Sequence, residues 1–241
     1  MHTILHLFFD WHAVRPYQHA LFFGFLLTIR LTFYSLFFSL IGALTLALMR
    51  QAGGGRSWGG KIAKVVAVIY IDLFRGLPAL LVIILLYVSL PFMSIPVVSG
   101  FSKTQVGVLA LSLVYSAYMA EIFRAGIESV ERGQTEAARS LGLSHLQAMR
   151  KVVLPQAVKR VIPPFLNEFI ILSKDISLLS VIAVPEVIGV ARDSQSETFN
   201  STPLVVAGLY YLAFTLPLTR IVDRYIAGER RRFGGGEVRI P

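Results

Sequence analysis

Five long apolar runs limit what this chain can become. They cover about 20–49, 62–90, 104–123, 163–183 and 204–226. A helix needs roughly 20 mostly apolar residues to cross the hydrocarbon core of a bilayer, and runs of that length recur along the whole chain. Mean hydropathy is +0.66 and charged residues make up 15% of the chain, against about 25% in ordinary soluble domains. The expectation is an all-α integral membrane protein with five transmembrane helices. The first run is longer than a bilayer needs, which predicts a tilted or protruding helix. The second is interrupted at Arg75-Gly76 and Pro78. Ser102 and Gln105 form a capping box that opens the third, and Pro163-Pro164 begins the fourth. Gly24, Gly42, Gly107, Ala110 and Gly208 are small enough to let helices approach closely.

The remaining segments read as connections. Residues 1–19 form an extracytoplasmic, interfacial lead-in, with Trp11 and Tyr17 suited to the headgroup level. No cleavable leader is expected there, because Asp10 and four histidines (His2, His6, His12 and His19) break it up and no small-residue cleavage site follows. Residues 50–61 read as a flexible basic turn, 91–100 as an external loop, 185–203 as a polar loop and 227–241 as a basic, disordered cytoplasmic tail. One transmembrane domain thus spans 20–226, with a long polar segment at 124–160 inside it. No internal repeat stands out, and there is no cysteine for a disulfide or a thiolate metal site.

Lysine and arginine set the expected orientation. Segments 50–64, 124–160 and 224–241 hold 16 of them, and segments 1–19, 91–103 and 184–203 hold 3. Basic residues accumulate on the cytoplasmic side. The N-terminus is therefore expected outside and the C-terminus in the cytoplasm, in agreement with an odd number of spans. This asymmetry also accounts for the net charge of +9, so nucleic acid is not an expected partner.

The polar segment carries the sharpest local pattern. Thr135 and Glu136 are expected to open a short helix, with the acid in the favourable first turn. Gly142 stands where a left-handed cap is needed, and Ser144 with Gln147 forms a capping box for a second helix. Leu154-Pro155 is expected to end that helix, since a residue before proline avoids the helical region.

Glu136-Ala137-Ala138, Gly142, then Val152, Val153 and Leu154-Pro155 resemble the EAA signature of bacterial ABC importer permeases, with Val152 in place of the more usual isoleucine. Five further stretches resemble the polar amino acid (histidine, glutamine, arginine, glutamate) permease subfamily: Tyr70 to Pro78, Ala117 to Arg124, Arg132-Gly133-Gln134, Pro163 to Glu168 and Lys174 to Leu178. Ile176 replaces the usual threonine. The resemblance runs from about Gly24 to Tyr225 and implies a type I ABC importer permease fold in a bacterial inner membrane. It also implies that Glu136, Ala137, Ala138, Arg139, Gly142, Leu154 and Pro155 form the coupling element that seats in a groove of an ABC ATPase. The implied partners are an ATPase dimer, an extracytoplasmic solute-binding protein and a polar amino acid. A path across the membrane usually needs more than five helices, so a second permease subunit, identical or similar, is expected.

Ionisable residues at membrane depth are costly and mark pathways or buried pairs. Asn167, Glu168, Lys174 and Asp175 occupy one arc of the fourth run at about 100° per residue. Carboxylates, an amide and an ammonium there suit a zwitterion, or else the charges pair within the protein and fix packing. Asp72, Arg75 and Glu121 are a candidate gate or ion pair. Arg30 stands near mid-span without an assigned role. No nucleotide-binding glycine loop with lysine is present, so no cofactor is expected on this chain; ATP and magnesium would belong to the partner. Nor is there a nucleophile-and-base set, so the chain reads as a transporter subunit and not an enzyme. Importers of another small solute (an opine, compatible solute or phosphonate) and a non-transporting membrane scaffold for an ATPase are the competing readings.

Overall fold

A computed structural model describes residues 7–53, 57–93 and 99–233, and all regular structure among them is helical. The elements are α1 (Gln18–Ala52), α2 (Trp58–Gly76), α3 (Ala79–Ser89), α4 (Lys103–Glu128), α5 (Arg132–Ser140), α6 (His145–Ala148), α7 (Leu154–Asp175), α8 (Val187–Thr198) and α9 (Thr202–Phe233). Three helical stretches are long and apolar enough to cross a membrane: Trp11–Ala52, Lys103–Glu128 and Thr202–Gly228. The pair α2 and α3 qualifies as a fourth, bent by 105° at the break. His2, His6, part of the basic turn at 50–61, part of the loop at 91–100 and the glycine-containing end of the tail lie outside the described residues.

The chain divides into two compact units, residues 1–121 with 171–211, and residues 122–170 with 212–241. In the first, α1 presents a stripe of small and hydroxylated residues, including Gly24, Thr28, Thr32, Ser35 and Ser39. Thr28, Thr32 and Ser39 return their hydroxyls to carbonyls four residues back, at 3.0, 2.8 and 2.6 Å. Their polarity is thereby satisfied without water. The stripe lets other backbones come near. A Cβ on Gly24 would lie 3.2 Å from the backbone of Glu186 and Val187, and one on Gly42 would lie 2.7 Å from the Ser116 side chain. Gly208, expected to serve the same purpose, has no atom near its missing Cβ.

The break in the second run is where the residues placed it. Leu77 is extended at φ −96° and ψ 138°, as the residue before Pro78 prefers. Tyr70 on α2 donates to the Leu113 carbonyl at 3.0 Å and lies 2.9 Å from the Ser116 hydroxyl, joining α2 to α4.

Three expectations need correction. Residues 185–203 are not simply a loop, because α8 occupies most of them. Val187, Ala191 and Ser194 are buried at helical spacing, and Glu186 caps the helix through Gly189 N–H at 2.7 Å. Leu154-Pro155 does not end a helix. A π-type turn over Met149–Val153 leads directly into α7, and Leu154 is helical at φ −60° and ψ −44°. The widened turn relieves the clash that a proline ring makes with the carbonyl four residues back. Finally, Pro163 and Pro164 do not start a helix but lie inside α7.

Glu186 is the most enclosed acid in the first unit. Its carboxylate accepts from Thr28 at 3.3 Å and Tyr211 at 3.5 Å as well as from Gly189. It joins α1, α8 and α9, and it lies in the connection between α7 and α9, outside the segments long enough to span. Burial pushes its carboxyl up from 4.5 to about 7, against the lowering by Ile188 and Gly189 N–H and by the two hydroxyls. The folded protein therefore keeps this proton where an unfolded chain has lost it. Stability falls as pH rises through that window, by about 3 kcal/mol at most. Glu186→Gln should flatten the slope: thermal unfolding in detergent should vary less between about pH 5 and about pH 8 than in the wild type.

Candidate coupling segment and permeation residues

The second unit presents the polar segment. Its small core is Val130, Val153 and Ala157, with Ile127 and Met149 against it. Arg160 donates to the Ser129 carbonyl, and Arg124 pairs with Glu128 one turn along α4. With Val130 buried, the chain turns at Glu131 (φ −58°, ψ 133°) and enters α5 at Arg132. The helix thus starts one turn earlier than Thr135-Glu136 suggests, so Glu136 stands mid-helix and exposed.

The end of α5 is a complete Schellman cap. Leu143 N–H donates to the Ala138 carbonyl at 3.2 Å and Gly142 N–H to Arg139 at 3.0 Å, with Gly142 left-handed at φ +86°. Those two bonds satisfy carbonyls that the helix end would otherwise leave open. The Ser144–Gln147 capping box follows in both directions, at 2.9 and 3.3 Å. Two caps in six residues hold this corner in one shape. Of the seven resemblance-derived residues, Ala138 is buried, while Glu136, Ala137, Arg139, Gly142, Leu154 and Pro155 are exposed. Leu141 is 85% and Leu146 76% exposed, so the corner presents apolar side chains that its own fold does not cover.

The intramembrane candidates separate. In the first unit, Glu121 on α4 pairs with Arg50 at 3.0 Å, and Arg75 lies 4.0 Å from its other oxygen. The Arg75 guanidinium also sits 6.0 Å over the Tyr118 ring. Asp72 is exposed and joins no ion pair among the described residues. The cluster is therefore Arg50–Glu121–Arg75, tying α1 and α2 to α4. On α7, Asn167 and Lys174 are exposed and Glu168 and Asp175 are half-buried. Asn167 and Glu168 belong to the second unit, Lys174 and Asp175 to the first. Asp175 accepts a 2.8 Å hydrogen bond from the buried Tyr115 hydroxyl, and α7 gives way to a 3-10 turn immediately after it. Tyr115, Arg50 and Glu186 are the residues that sequence reasoning left out. Only Glu186 carried a local signal, an acid three residues ahead of Gly189 at a helix start.

Residues 43–231 match the family described as the binding-protein-dependent transport system inner membrane component. The chain belongs to that family: it is an inner-membrane transporter component, not an enzyme. Among curated relatives, the glutamine transport system permease protein GlnP of Escherichia coli (strain K12) is 34% identical over 229 residues, covering 92% of this chain and 97% of that one. The probable glutamine ABC transporter permease protein GlnM of Bacillus subtilis (strain 168) is 41% identical over 156 residues, 62% of this chain and 68% of the relative. A crystal structure of an amino acid ABC transporter with histidines superposes with a TM-score of 0.81 at 34% identity, covering 92% of this chain and 98% of that one. The MetNI methionine ABC transporter, at 19% identity and a TM-score of 0.71, shares the fold.

A Cβ on Gly142 would meet no neighbouring atom within 4 Å, so the cost of a side chain lies in the left-handed backbone, about 1–2 kcal/mol for an ordinary residue. Gly142→Ala should therefore leave the amount of protein in the membrane unchanged. It should also raise the rate of limited proteolysis across 141–146, measured in membrane vesicles.

Proposed function

We propose that this chain is the permease subunit of an ATP-driven importer that moves a polar amino acid into the cytoplasm by alternating access. The observation that carries this reading is family membership joined to likeness, over 92% of the chain, to a permease named for glutamine and to an amino acid ABC transporter. Five spans of the type I arrangement, N-terminus outside and C-terminus inside, are the topology that the 16-to-3 bias of basic residues supports. In that arrangement the fourth run, the second half of α7 with the 3-10 turn, completes the set.

The exposed corner from Glu136 to Pro155 then faces the cytoplasm and docks an ABC ATPase. Ala137 is small and permits close approach, Leu141 and Leu146 supply apolar contact, and Glu136 and Arg139 supply polar contacts at the rim. The ATPase dimer binds ATP and magnesium. A second permease subunit completes the path, and an extracytoplasmic binding protein delivers the substrate. Closure of the ATPases draws the two coupling corners together and opens the path outward; hydrolysis restores the inward-open state. Within the path, Glu168 and Asp175 suit the α-ammonium, and Lys174 and Asn167 suit the carboxylate. Asp72 and Arg75, on the last turns of α2 before its bend, serve with Glu121 of α4 as a gate, or Arg75 and Glu121 as a structural ion pair.

The test is uptake of a panel of labelled amino acids into proteoliposomes holding the chain with its ATPase, any second permease subunit and the binding protein. Flux of one polar amino acid, lost without ATP, is the expected outcome; no flux from the complete assembly would favour a scaffold role. Gly142→Asp should abolish that flux while the protein remains in the membrane. Glu168→Gln should weaken substrate-stimulated ATP hydrolysis, and unchanged stimulation would return Glu168 to a packing role.

A further inference from the structure

One cavity of the first unit has no part in the functions above. It is an open groove of about 750 Å³ between α1, α2 and α4. Its wall is mostly hydrocarbon, with Leu27, Leu31, Phe38, Val108 and Leu109 among its residues. No aspartate or glutamate lines it. At one end stand Arg30, Thr104 and Gln105. Arg30 is exposed and makes no hydrogen bond or ion pair among the described residues. The Thr104 hydroxyl has no partner there either. Gln105 uses its carbonyl oxygen in the Ser102 cap, at 2.8 and 3.0 Å, which leaves its amide N–H groups to point elsewhere. Three donors, one of them cationic, thus meet at the mouth of an apolar trough.

The dimensions fit a single class of occupant. From Arg30 to Gly42 along α1, and from Thr104 to Ser116 along α4, the groove runs 12 residues, roughly 18 Å at the helical rise. One leaflet of a bilayer has about 15 Å of hydrocarbon. The polar end coincides with the start of α4 at Lys103, and a spanning helix of that length starts in the headgroup layer; Arg30 then lies at that level and not near mid-span, with the first turns of the 35-residue α1 projecting beyond it. Donors at headgroup level above a leaflet-deep apolar wall match an anionic amphiphile. A zwitterionic amino acid does not fit, because its ammonium would find no carboxylate and its polar body would line hydrocarbon.

We propose that this groove binds one anionic phospholipid of the outer leaflet, its phosphate on Arg30, Thr104 and Gln105 and an acyl chain along α1 and α4. Arginine suits this role because its planar guanidinium meets phosphate oxygens through paired donors. The choice of leaflet rests on the orientation proposed above; the site itself does not.

The experiment uses the full chain, in its assembled complex, reconstituted in nanodiscs of phosphatidylcholine with a minor fraction of phosphatidylglycerol bearing a photoactivatable group on its acyl chain. Irradiation followed by peptide mapping should place label on α4 near Val108 and Leu109 and on α1 near Leu31 and Phe38. Arg30→Gln should lower that labelling roughly fivefold, the effect of one basic residue near an anionic headgroup. Arg30→Lys should keep most of it, and Val108→Trp should abolish it by filling the trough. The same label on phosphatidylcholine should mark the groove weakly and with no response to Arg30→Gln. Equal labelling by both lipids, or no loss in Arg30→Gln, would overturn the proposal. So would a disulfide between cysteines placed at Val108 in one subunit and in a neighbouring permease subunit, which would assign the groove to a subunit interface. Amino acid uptake by the same protein and lipids in proteoliposomes separates the readings: labelling that follows Arg30 while uptake fails leaves the lipid site standing and overturns the transport reading.

Discussion

In hydrocarbon there is no water to satisfy a backbone N–H or C=O, and the apolar helices of this chain are shaped by that constraint. It favours helices, and all regular structure among the described residues is helical. It also explains the hydroxyl stripe of α1, where Thr28, Thr32 and Ser39 bond to their own helix and leave a slim face against which other backbones can lie. At Gly24 that closeness becomes functional architecture. The backbone around Glu186 comes within reach of Thr28, and a carboxylate that would be costly alone is held by an N–H from α8 and hydroxyls from α1 and α9. A fully buried acid at a junction of three helices ties the packing of the first unit to its state of protonation.

The second unit follows a different logic. Its coupling corner is held by local caps beside a small core of Val130, Val153 and Ala157. The Schellman cap at Gly142 and the capping box at Ser144 come from sequence-adjacent groups, so the corner needs little from the rest of the chain to keep its shape. A docking element benefits from that independence, because a surface formed in advance loses less conformational freedom on binding. The π-type turn and α7 continue the helical track from this corner without a break, even though Pro155, Pro163 and Pro164 all lie on the way.

Much of this was legible in the residues. The helices at α1, α4 and α9 follow from the apolar runs, the bend at Leu77-Pro78 from the restriction that proline imposes, and both capping boxes and the left-handed glycine from local spacing. What escaped was of two kinds. Local preference makes Leu154-Pro155 a helix end and Pro163-Pro164 a helix start, whereas a widened turn leads into one helix that contains all three prolines. Contacts between distant segments were invisible because nothing in the sequence near Glu121 names Arg50, and nothing near Asp175 names Tyr115. The helix at 187–198 is a nearer miss, since Val187, Ala191 and Ser194 carried its period beneath a polar composition.

The bend between α2 and α3 has a consequence for how the protein is made. At 11 residues, α3 is only about 16 Å long, too short to cross the roughly 30 Å core by itself. It can enter the bilayer only as an appendage of α2. The Tyr70 hydroxyl, half-buried against α4 in the finished fold, donates to Leu113 and has its second partner in the Ser116 hydroxyl, more than forty residues later in the order of synthesis. Until those residues emerge, α2 carries an unmatched polar group into the membrane. Its final seat is therefore completed by a helix that arrives after it, and biogenesis of the first unit acquires an order in time that the finished architecture does not display.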